Sequence, residues 1–427
     1  IMLDIRQIRD DAGGVGRRLA ARGADYDGVI RGVLECDERR RAAETRQQEL
    51  NAERKRLSKR IGALKARGED SGEVEGLVKA HGGELSELAA TVATLNERQR
   101  ELLLGLPNLP HEQCPPGAGA ADNPVLRHWG AQPEAVAGGS NHLEIGARLG
   151  LFDLEHAAAI SGSGYVVFTG EGARLERALI NFMLDVHARR HGYREVSPPF
   201  LIRRECMVGT GQLPKFEDDM YGLDDGAMFL APTAEVPVTN LAREQILAES
   251  ELPRKLVAYT PCFRREAGAA GRESRGMIRL HQFDKVELVK LVKPDESAAE
   301  LEALTSDAEA ILQLLGLHYR VIELCAGDLG FGAARTYDIE VWSPGQNDYL
   351  EVSSCSNFGD YQARRMNLRY KDSATRRNVF CHTLNGSGTA LPRLFIALIE
   401  CGLQADGSVR LPEALHDYFG AESLGGG

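Results

Sequence analysis

The stretch "TPCFRREAGAAGRESRGMIRLHQFDKVELVK", residues 260–290, contains two strand-like segments joined by a loop rich in glycine and arginine. Five arginines lie within residues 264–279, although the whole chain has a net charge of −11. The planar guanidinium group suits phosphate and carboxylate groups. The stretch therefore predicts a site for an anionic ligand. The alternative is a solvent-exposed basic loop, and the rest of the sequence must decide between the two.

Alternation along the two segments predicts which side chains share a surface. In "LVAYTPCFRRE", residues 256–266, Arg264 and Glu266 fall on one face of a strand. In "MIRLHQFDKVELV", residues 277–289, Phe283 and Glu287 fall on one face of a second strand. If these faces converge, one surface carries three kinds of group. An arginine would bind a phosphate, an aromatic ring would stack on a base, and a carboxylate would bind an ammonium group. The glycines between the segments would let the loop move over a bound ligand.

Three other segments offer polar side chains that are weak signals one at a time. "APTAEVPVTN", residues 231–240, has a Thr and a Glu at a spacing of two, which predicts one face of a strand. "EVSSCSN", 351–357, and "NGSGTALPRLF", 385–395, add a carboxylate, hydroxyls, an amide and an arginine. The residues of interest are Thr233, Glu235, Glu351, Ser353, Ser354, Asn385, Ser387 and Arg393.

The common phosphate-binding loops are absent from the sequence. No G-x-x-x-x-G-K-[ST] pattern occurs, and "GTGQLP", 209–214, has a proline where a dinucleotide fingerprint needs its last glycine. Any ATP must therefore be bound by other means than a P-loop.

Composition indicates a globular protein of two or three domains, with 427 residues and 43% hydrophobic residues. No apolar stretch is long enough for a membrane span, and the N-terminal residues "IMLDIRQIRDD" are charged from the start. Eight scattered cysteines form no C-x-x-C pair, so neither a disulfide framework nor a zinc site is expected. We expect a cytoplasmic protein without a membrane partner. Its negative charge disfavours nucleic-acid binding by the whole surface, but not by a local basic patch.

Residues 28–104 differ from the rest of the chain, because they contain no proline and are rich in Glu, Arg, Ala, Leu and Gln. Apolar residues recur at spacings of three and four on both sides of the turn-like "ARGEDSGE", 66–73. This pattern predicts a long antiparallel helical hairpin, a coiled-coil arm, with a weak apolar seam between Glu35 and Gln48. Near its tip, "RKRLSKRIGALKAR", 54–67, has seven Lys or Arg and no acid. It predicts a contact with a nucleic-acid backbone, with a solvated flank as the alternative.

The linker-like "GLPNLPHEQCPPGAGAADNP", 105–124, follows the hairpin, and we place a domain boundary there, giving domains 1–112 and 113–427. Beyond it, helix stripes are predicted around 175–186, 301–315 and 390–400, and a hairpin over 336–354. Strands joined by short turns predict an α+β domain, an antiparallel sheet flanked by helices.

Taken together, these segments closely resemble the bacterial-type seryl-tRNA synthetases, a family of class II aminoacyl-tRNA synthetases. Residues 260–287 resemble the family's motif 2, and "NGSGTALPRLFIALIE", 385–400, resembles motif 3. The helix of 173–191 with "GYREVSPPFL", 192–201, resembles motif 1, with Pro199 at the dimer-interface position. Residues 28–104 resemble the tRNA-binding arm. One departure is Leu391-Pro392 before Arg393, where many members have Val-Gly, and a proline is tolerated in a first helical turn.

The resemblance implies roles for individual residues. Serine would be bound by Thr233, Glu235, Arg264, Glu287, Asn385 and Ser387. ATP would be bound by Arg264, Arg265, Glu266, Phe283, Glu351, Ser354 and Arg393. Magnesium would be held by Glu351 and Ser354. The residues closest to the chemistry would be Arg264, Glu266 and Arg393. The contacts to tRNA would come from Arg54, Lys55, Arg56, Lys59, Arg60 and Arg275.

The implied activity is the ATP-dependent ligation of L-serine to serine tRNA through a seryl-adenylate, by a homodimer that associates through its catalytic domain. Whether selenocysteine tRNA is also charged with serine stays open. Two other readings are a class II paralogue that activates an amino acid for a carrier protein, and a catalytically inactive RNA-binding homologue. The long arm argues against the first. The retained Arg264, Glu287, Glu351 and Arg393 argue against the second.

Overall fold

The computed structural model describes residues 3–133, 140–267 and 276–425. The chain divides into two compact units. The first comprises residues 1–20 and 24–107, and the second comprises 21–23 and 108–427. The domain boundary at residue 112 stays a prediction.

The first unit is helical, with α1 (Ile5–Asp10), α2 (Ala12–Ala20), α3 (Asp27–Ala66) and α4 (Gly72–Leu104). Helices α3 and α4 have 40 and 33 residues, so they are about 60 and 50 Å long at 1.5 Å per residue. They pack against each other along their lengths. The predicted helical hairpin is confirmed, whereas α1 and α2 were not predicted from the sequence.

The weak part of the seam has a physical explanation. Asp37 is only 2% exposed, and its carboxylate accepts hydrogen bonds from Arg9 Nε at 3.0 Å and Arg40 Nη2 at 2.8 Å. A charged contact with α1 therefore stands where an apolar residue would continue the seam. Elsewhere in the hairpin, Leu50 and Leu95 are buried, and Gln99 donates to the Val33 carbonyl at 3.3 Å.

The second unit mixes short helices with strands. Its helices are α5 (His142–Leu149), α6 (Leu154–Ser161), α7 (Gly170–Arg189), α8 (Arg204–Thr210), α9 (Glu235–Thr239), α10 (Ser297–Leu314), α11 (Tyr361–Met366), α12 (Leu391–Cys401) and α13 (Glu413–Phe419). Its strands are β1 (Val125–Trp129), β2 (Phe152–Asp153), β3 (Val167–Phe168), β4 (Arg194–Glu195), β5 (Leu201–Arg203), β6 (Gly222–Leu223), β7 (Met228–Leu230), β8 (Ile246–Ala248), β9 (Arg254–Phe263), β10 (Gln282–Val292), β11 (Tyr319–Glu323), β12 (Arg335–Ser343), β13 (Asp348–Asn357), β14 (Arg369–Lys371), β15 (Asn378–Phe380), β16 (His382–Ala390), β17 (Val409–Arg410) and β18 (Ser423–Leu424).

The main sheet has the strand order β1-β11-β12-β13-β16-β10-β9-β4. Neighbouring strands are antiparallel except for β4, which runs parallel to β9. Helices α7, α10 and α12 pack on this sheet, and their apolar stripes belong to one large core. The predicted α+β class, an antiparallel sheet flanked by helices, is confirmed.

The register of the central strands brings together side chains that are distant in the sequence. Glu287 of β10 pairs with Ser387 of β16, and Asn385 of β16 pairs with Ser356 of β13. Strand β16 has a β-bulge at Gly388. This residue is the extra one between Ser387, which pairs with Glu287, and Thr389, which pairs with Val286. A Cβ at Gly388 would lie 2.7 Å from His187 Nε2, so a glycine is needed at this close approach.

Candidate active site

One cavity of about 460 Å³ lies in the second unit and is lined by residues of β10, β13, β16 and α12, together with the segments after β9, before α9 and before β10. All of the residues predicted to bind serine or ATP line this cavity except Arg265. Arg265 is exposed, and its backbone N–H donates to the Asp219 carbonyl at 2.9 Å. Arg275 lies outside the described residues.

Two buried carboxylates, those of Glu235 and Glu287, line the cavity. Glu235 Oε1 accepts a hydrogen bond from Gln362 Nε2 at 2.7 Å, and Glu287 Oε2 accepts one from the Thr233 hydroxyl at 3.3 Å. Burial, and then repulsion from Glu287, raises the pKa of Glu235 to about 7. Two carboxylates that repel each other form a suitable site for an ammonium group.

The local structure around Glu235 differs from the predicted strand. Thr233 lies in a turn, and Glu235 is the first residue of α9. The Glu235 N–H donates to the Thr233 hydroxyl at 3.2 Å, a local bond of the kind that a threonine hydroxyl forms in a turn. The prediction of one strand face was therefore wrong, but a helix start also directs both side chains into the cavity.

Lys285 is a cavity residue that the sequence analysis did not single out. It is buried and forms an ion pair with Glu287. It lies on β10 between Phe283 and Glu287, and all three line the cavity. The same period-two alternation that predicted Phe283 and Glu287 would have identified it.

Two glutamines complete the environment of Glu235. Gln212 Nε2 lies 3.5 Å from Glu235 Oε2. Gln362 donates to both Glu235 and the Thr210 carbonyl, and it accepts from the Thr383 hydroxyl at 2.7 Å. Because these partners come from segments remote from one another in the chain, spacing alone gave no signal for them.

Arg264 lines the cavity. Its Nε donates to the Pro232 carbonyl at 3.1 Å, and its guanidinium group lies 5.2 Å from the centre of the Phe283 ring. The Arg264 guanidinium group and the Phe283 ring thus form a cation–π contact. Among the described residues the other guanidinium N–H groups of Arg264 have no hydrogen-bond partner, which suits an anionic ligand.

Glu266 is held in a way that the predicted strand face did not anticipate. Strand β9 ends at Phe263, and Glu266 has a backbone φ of 51°, so the two-residue alternation from Arg264 is wrong. Its carboxylate forms an ion pair with Arg279, another arginine of the opening stretch. The second strand likewise begins at Gln282, not at Met277.

Arg393 lies in the first turn of α12, directly after Pro392. Its Nε donates to the Ile278 carbonyl at 3.1 Å, and its Nη1 donates to the Glu351 carbonyl at 2.8 Å. The proline is compatible with the helix start because the first helical N–H groups need no partner within the helix. The Leu391-Pro392 departure therefore leaves Arg393 in the cavity wall.

The donors near Glu351 and Ser354 fit a hard divalent cation. Asp338 is the cross-strand neighbour of Ser354, and its Oδ1 is buried without a hydrogen-bond partner among the described residues. Burial, and then Glu351, raises the pKa of Asp338 well above its usual range. No group of three or more His, Cys, Asp or Glu residues in the described part of the chain could hold a metal ion by itself. One or two carboxylates completed by substrate phosphates are typical of magnesium sites.

No helix in the described ranges is long and apolar enough to cross a membrane. The cysteines at 36, 114, 206, 262, 325, 355, 381 and 401 are all free thiols.

Comparison with known protein families first identifies the class of protein. Residues 216–401 match the model of the tRNA synthetase class II core domain (G, H, P, S and T). The fold and cavity described above are thus those of a class II aminoacyl-tRNA synthetase. Residues 2–110 match the seryl-tRNA synthetase N-terminal domain.

Full-length relatives then give the family. The chain is 59% identical to a serine--tRNA ligase of Akkermansia muciniphila, over 99% of both proteins. It is 49% identical to a serine--tRNA ligase of Syntrophobacter fumaroxidans, over 98% of this chain and 99% of that protein. The crystal structure of seryl-tRNA synthetase from Pyrococcus horikoshii complexed with ATP superposes with a TM-score of 0.93, at 33% identity and 99% coverage of each chain. The chain belongs to the seryl-tRNA synthetase family, and the resemblance found in the sequence is confirmed.

Proposed function

We propose that the protein activates serine with ATP in this cavity and transfers it to serine tRNA. Family membership over the full length supports this activity. The observation that carries it is the placement of Glu235 and Glu287 in the same cavity as Arg264. Such an arrangement separates a place for an ammonium group from a place for negatively charged carboxylate and phosphate groups.

Serine would bind with its ammonium group between Glu235 and Glu287. Thr233 supports this position because its hydroxyl donates to Glu287. Asn385 and Ser387 lie on the neighbouring strand β16, opposite Ser356 and Glu287. They would surround the seryl side chain and select for a small hydroxyl-bearing group.

The first chemical step requires no nucleophile from the protein. The serine carboxylate attacks the α-phosphate of ATP, a bond forms between them, and pyrophosphate leaves with the electrons of the broken bond. Arg264 would contact both reacting groups, align them and offset the charge that develops on the phosphate. Glu266 would contact adenine, Phe283 would stack against it, and Arg393 would pack on its other face and reach the γ-phosphate.

Glu351 and Ser354 would hold a magnesium ion, which supplies positive charge to the phosphates when it is bound. Buried Asp338, the cross-strand neighbour of Ser354, has an Oδ1 atom without a hydrogen-bond partner among the described residues, and this supports a cation there. Arg265 is exposed and does not line the cavity, so it would contact ATP from outside the cavity wall.

In the second step the seryl group passes from the adenylate to the terminal ribose of tRNA. The exposed basic residues of α3 would contact the tRNA backbone, namely Arg54, Lys55, Arg56, Lys59 and Arg60. Arg275 would approach the tRNA end. Whether selenocysteine tRNA is also charged with serine stays open.

The active form would be a homodimer joined through the second unit. Phe200 and Leu201, which follow Pro199, are 38% and 46% exposed. Apolar surface next to this motif 1 proline is what a partner subunit would cover. We also propose a cytoplasmic location, because eight free thiols suit a reducing compartment.

Two assays test the proposal. ATP–pyrophosphate exchange with each of the twenty amino acids should respond to serine alone. Aminoacylation of total tRNA should then attach serine. Exchange without aminoacylation would favour a paralogue that serves a carrier protein, and no exchange with any amino acid would favour an inactive RNA-binding homologue.

A further inference from the structure

A buried histidine–glutamate pair lies beside the active-site cavity without lining it. His142 begins α5 and is 1% exposed, and Glu400 lies near the end of α12 and is 2% exposed. Glu400 Oε1 lies 3.3 Å from His142 Nδ1 and accepts the His142 backbone N–H at 2.8 Å. The pair thus joins the start of α5 to the helix that carries Arg393.

The surroundings of Glu400 determine which nitrogen of His142 carries the proton. The other oxygen of Glu400 accepts from the Ser343 hydroxyl and from the Gly345 N–H at 3.0 Å. A carboxylate only accepts hydrogen bonds, so His142 Nδ1 is the donor to it. In the neutral imidazole, Nε2 then presents a lone pair.

That lone pair faces the backbone just before β10. The Met277 N–H donates to His142 Nε2 at 3.4 Å. Gly276 has a φ of 65°, and a Cβ at this position would lie 2.2 Å from the same Nε2 atom. The backbone therefore passes so close to the imidazole ring that any side chain at residue 276 would displace one or the other.

The segment held in this way carries groups that contact the predicted ATP residues. The Ile278 carbonyl accepts from Arg393 Nε at 3.1 Å, and Arg279 forms the ion pair with Glu266. Met277, Ile278 and Arg279 also line the cavity. A shift of the backbone at Met277 would therefore move the partners of both Arg393 and Glu266.

We infer that His142, oriented by Glu400, is a positioning residue for ATP: its Nε2 fixes residues 276–279 and thereby the placement of Glu266 and Arg393. It does not contact the substrates itself. The inference rests on the proposed function, since it concerns ATP binding in the activation step. The groups that surround serine, Glu235 and Glu287, belong to α9 and β10 and do not contact His142.

Two substitutions separate the roles of the two ring nitrogens. His142→Asn keeps an amide near the Nδ1 position but leaves no acceptor for the Met277 N–H, whereas His142→Gln places an amide oxygen near the Nε2 position. In serine-dependent pyrophosphate exchange, His142→Asn should raise the KM for ATP about tenfold, the size of one lost buried hydrogen bond. The KM for serine should change less than about twofold, and His142→Gln should restore most of the loss.

The controls distinguish positioning from general stability. His156→Asn changes an exposed histidine that contacts Asp153, and it should leave both KM values unchanged. Gly276→Ala disrupts the same contact through the backbone, because the added Cβ would displace His142 Nε2. It should reproduce the ATP-selective loss even if His142→Asn fails to fold. Equal losses in His142→Asn and His142→Gln, losses that follow the melting temperature, or an equal rise in the KM for serine would overturn the inference. Absence of exchange in the unmodified protein would instead refute the proposed function.

Discussion

Glu235, at the start of α9, and Glu287, in the middle of β10, face the same cavity from elements that are far apart in the sequence. Burial first, and the neighbouring Glu287 second, raises the pKa of Glu235 to about 7. Glu287 is already paired with Lys285, so Glu235 is the carboxylate whose charge remains to be balanced. A bound ammonium group would provide that balance, and the pair therefore links serine binding to pH.

Serine affinity should increase with pH up to about 7. Below its raised pKa Glu235 holds a proton that the serine ammonium must displace, so the dissociation constant should fall by up to about tenfold per pH unit between pH 5.5 and 7. Calorimetry in two buffers of different ionisation enthalpy would measure both the affinity and the proton released. ATP affinity over the same range is the control and should change little. A serine affinity that does not vary with pH would contradict the assignment.

The Glu235→Gln variant should lose serine binding but gain stability. A carboxyl group whose pKa is raised on folding destabilises the folded state increasingly as pH rises from its unfolded value to about 7, and the cost is fully present above that. The substitution should raise the free energy of unfolding by about 1–3 kcal/mol at pH 8 and by little at pH 5. Thermal unfolding at both pH values is the measurement. Glu287→Gln, which leaves Lys285 buried and unpaired, should be destabilising instead.

Arg264→Ala should reduce serine-dependent pyrophosphate exchange by about 10²-fold or more. A donor that stabilises charge in the transition state contributes about 3–4 kcal/mol. Arg265→Ala is the comparison and should cause a smaller loss, because the neighbouring arginine is exposed and does not line the cavity. Near-normal exchange by a folded Arg264→Ala protein would refute its role. An equal loss in Arg265→Ala would contradict the assignment of the main charge-stabilising role to Arg264.

The parts of the site that rest on local regularity could be predicted from the sequence. Phe283 and Glu287 lie on one long strand, so alternation alone placed them on one surface. A spacing of two at Thr233 and Glu235 was misread, because three residues cannot distinguish a strand from the start of a helix. Glu266 was misplaced because its positive φ accompanies the contact with Arg279, which lies beyond the loop.

Long-range contacts were the part that could not be predicted. Gln362 and Glu235 are 127 residues apart, and His142 and Glu400 are 258 residues apart. Such pairs are brought together by the packing of whole elements, and neither partner has a distinctive local pattern. The helical arm was the opposite case, since its heptad spacing and its turn are both local, and only the polar interruption at Asp37 required the structure.

Dimerisation should not depend on the arm. The exposed Phe200 and Leu201 beside Pro199 belong to the second unit, so the interface should persist when residues 28–104 are replaced by a short linker. Light scattering on the full chain and on the shortened chain should give dimers in both cases. A monomeric shortened chain beside a dimeric full chain would place the interface on the arm and contradict the proposal.

The basic tip of the arm is less paired than the flank of an ordinary coiled coil. Lys65 forms an ion pair with Glu75 across the hairpin at 2.8 Å, and Arg56 has only a 3.8 Å contact with Glu53. No ion pair among the described residues involves Arg54, Lys55, Lys59 or Arg60. A helix distributes such residues around its axis, so only some of them can face one RNA.

Neutralising the tip should weaken tRNA binding and leave amino-acid activation almost unchanged. The variant replaces Arg54, Lys55, Arg56, Lys59 and Arg60 with glutamine. Binding to phosphates releases counterions, so the slope of affinity against salt should become shallower by about one unit for each phosphate that the variant no longer neutralises. Serylation at limiting tRNA should fall, while pyrophosphate exchange, which needs no tRNA, should persist.

The matched control removes five exposed arginines from acid-containing parts of the hairpin, namely Arg31, Arg39, Arg41, Arg98 and Arg100. If both assays fall together in the tip variant, the tip serves folding. If the control weakens tRNA binding as much as the tip variant does, overall charge and not the tip is responsible. If neither assay falls, the basic window is a solvated flank.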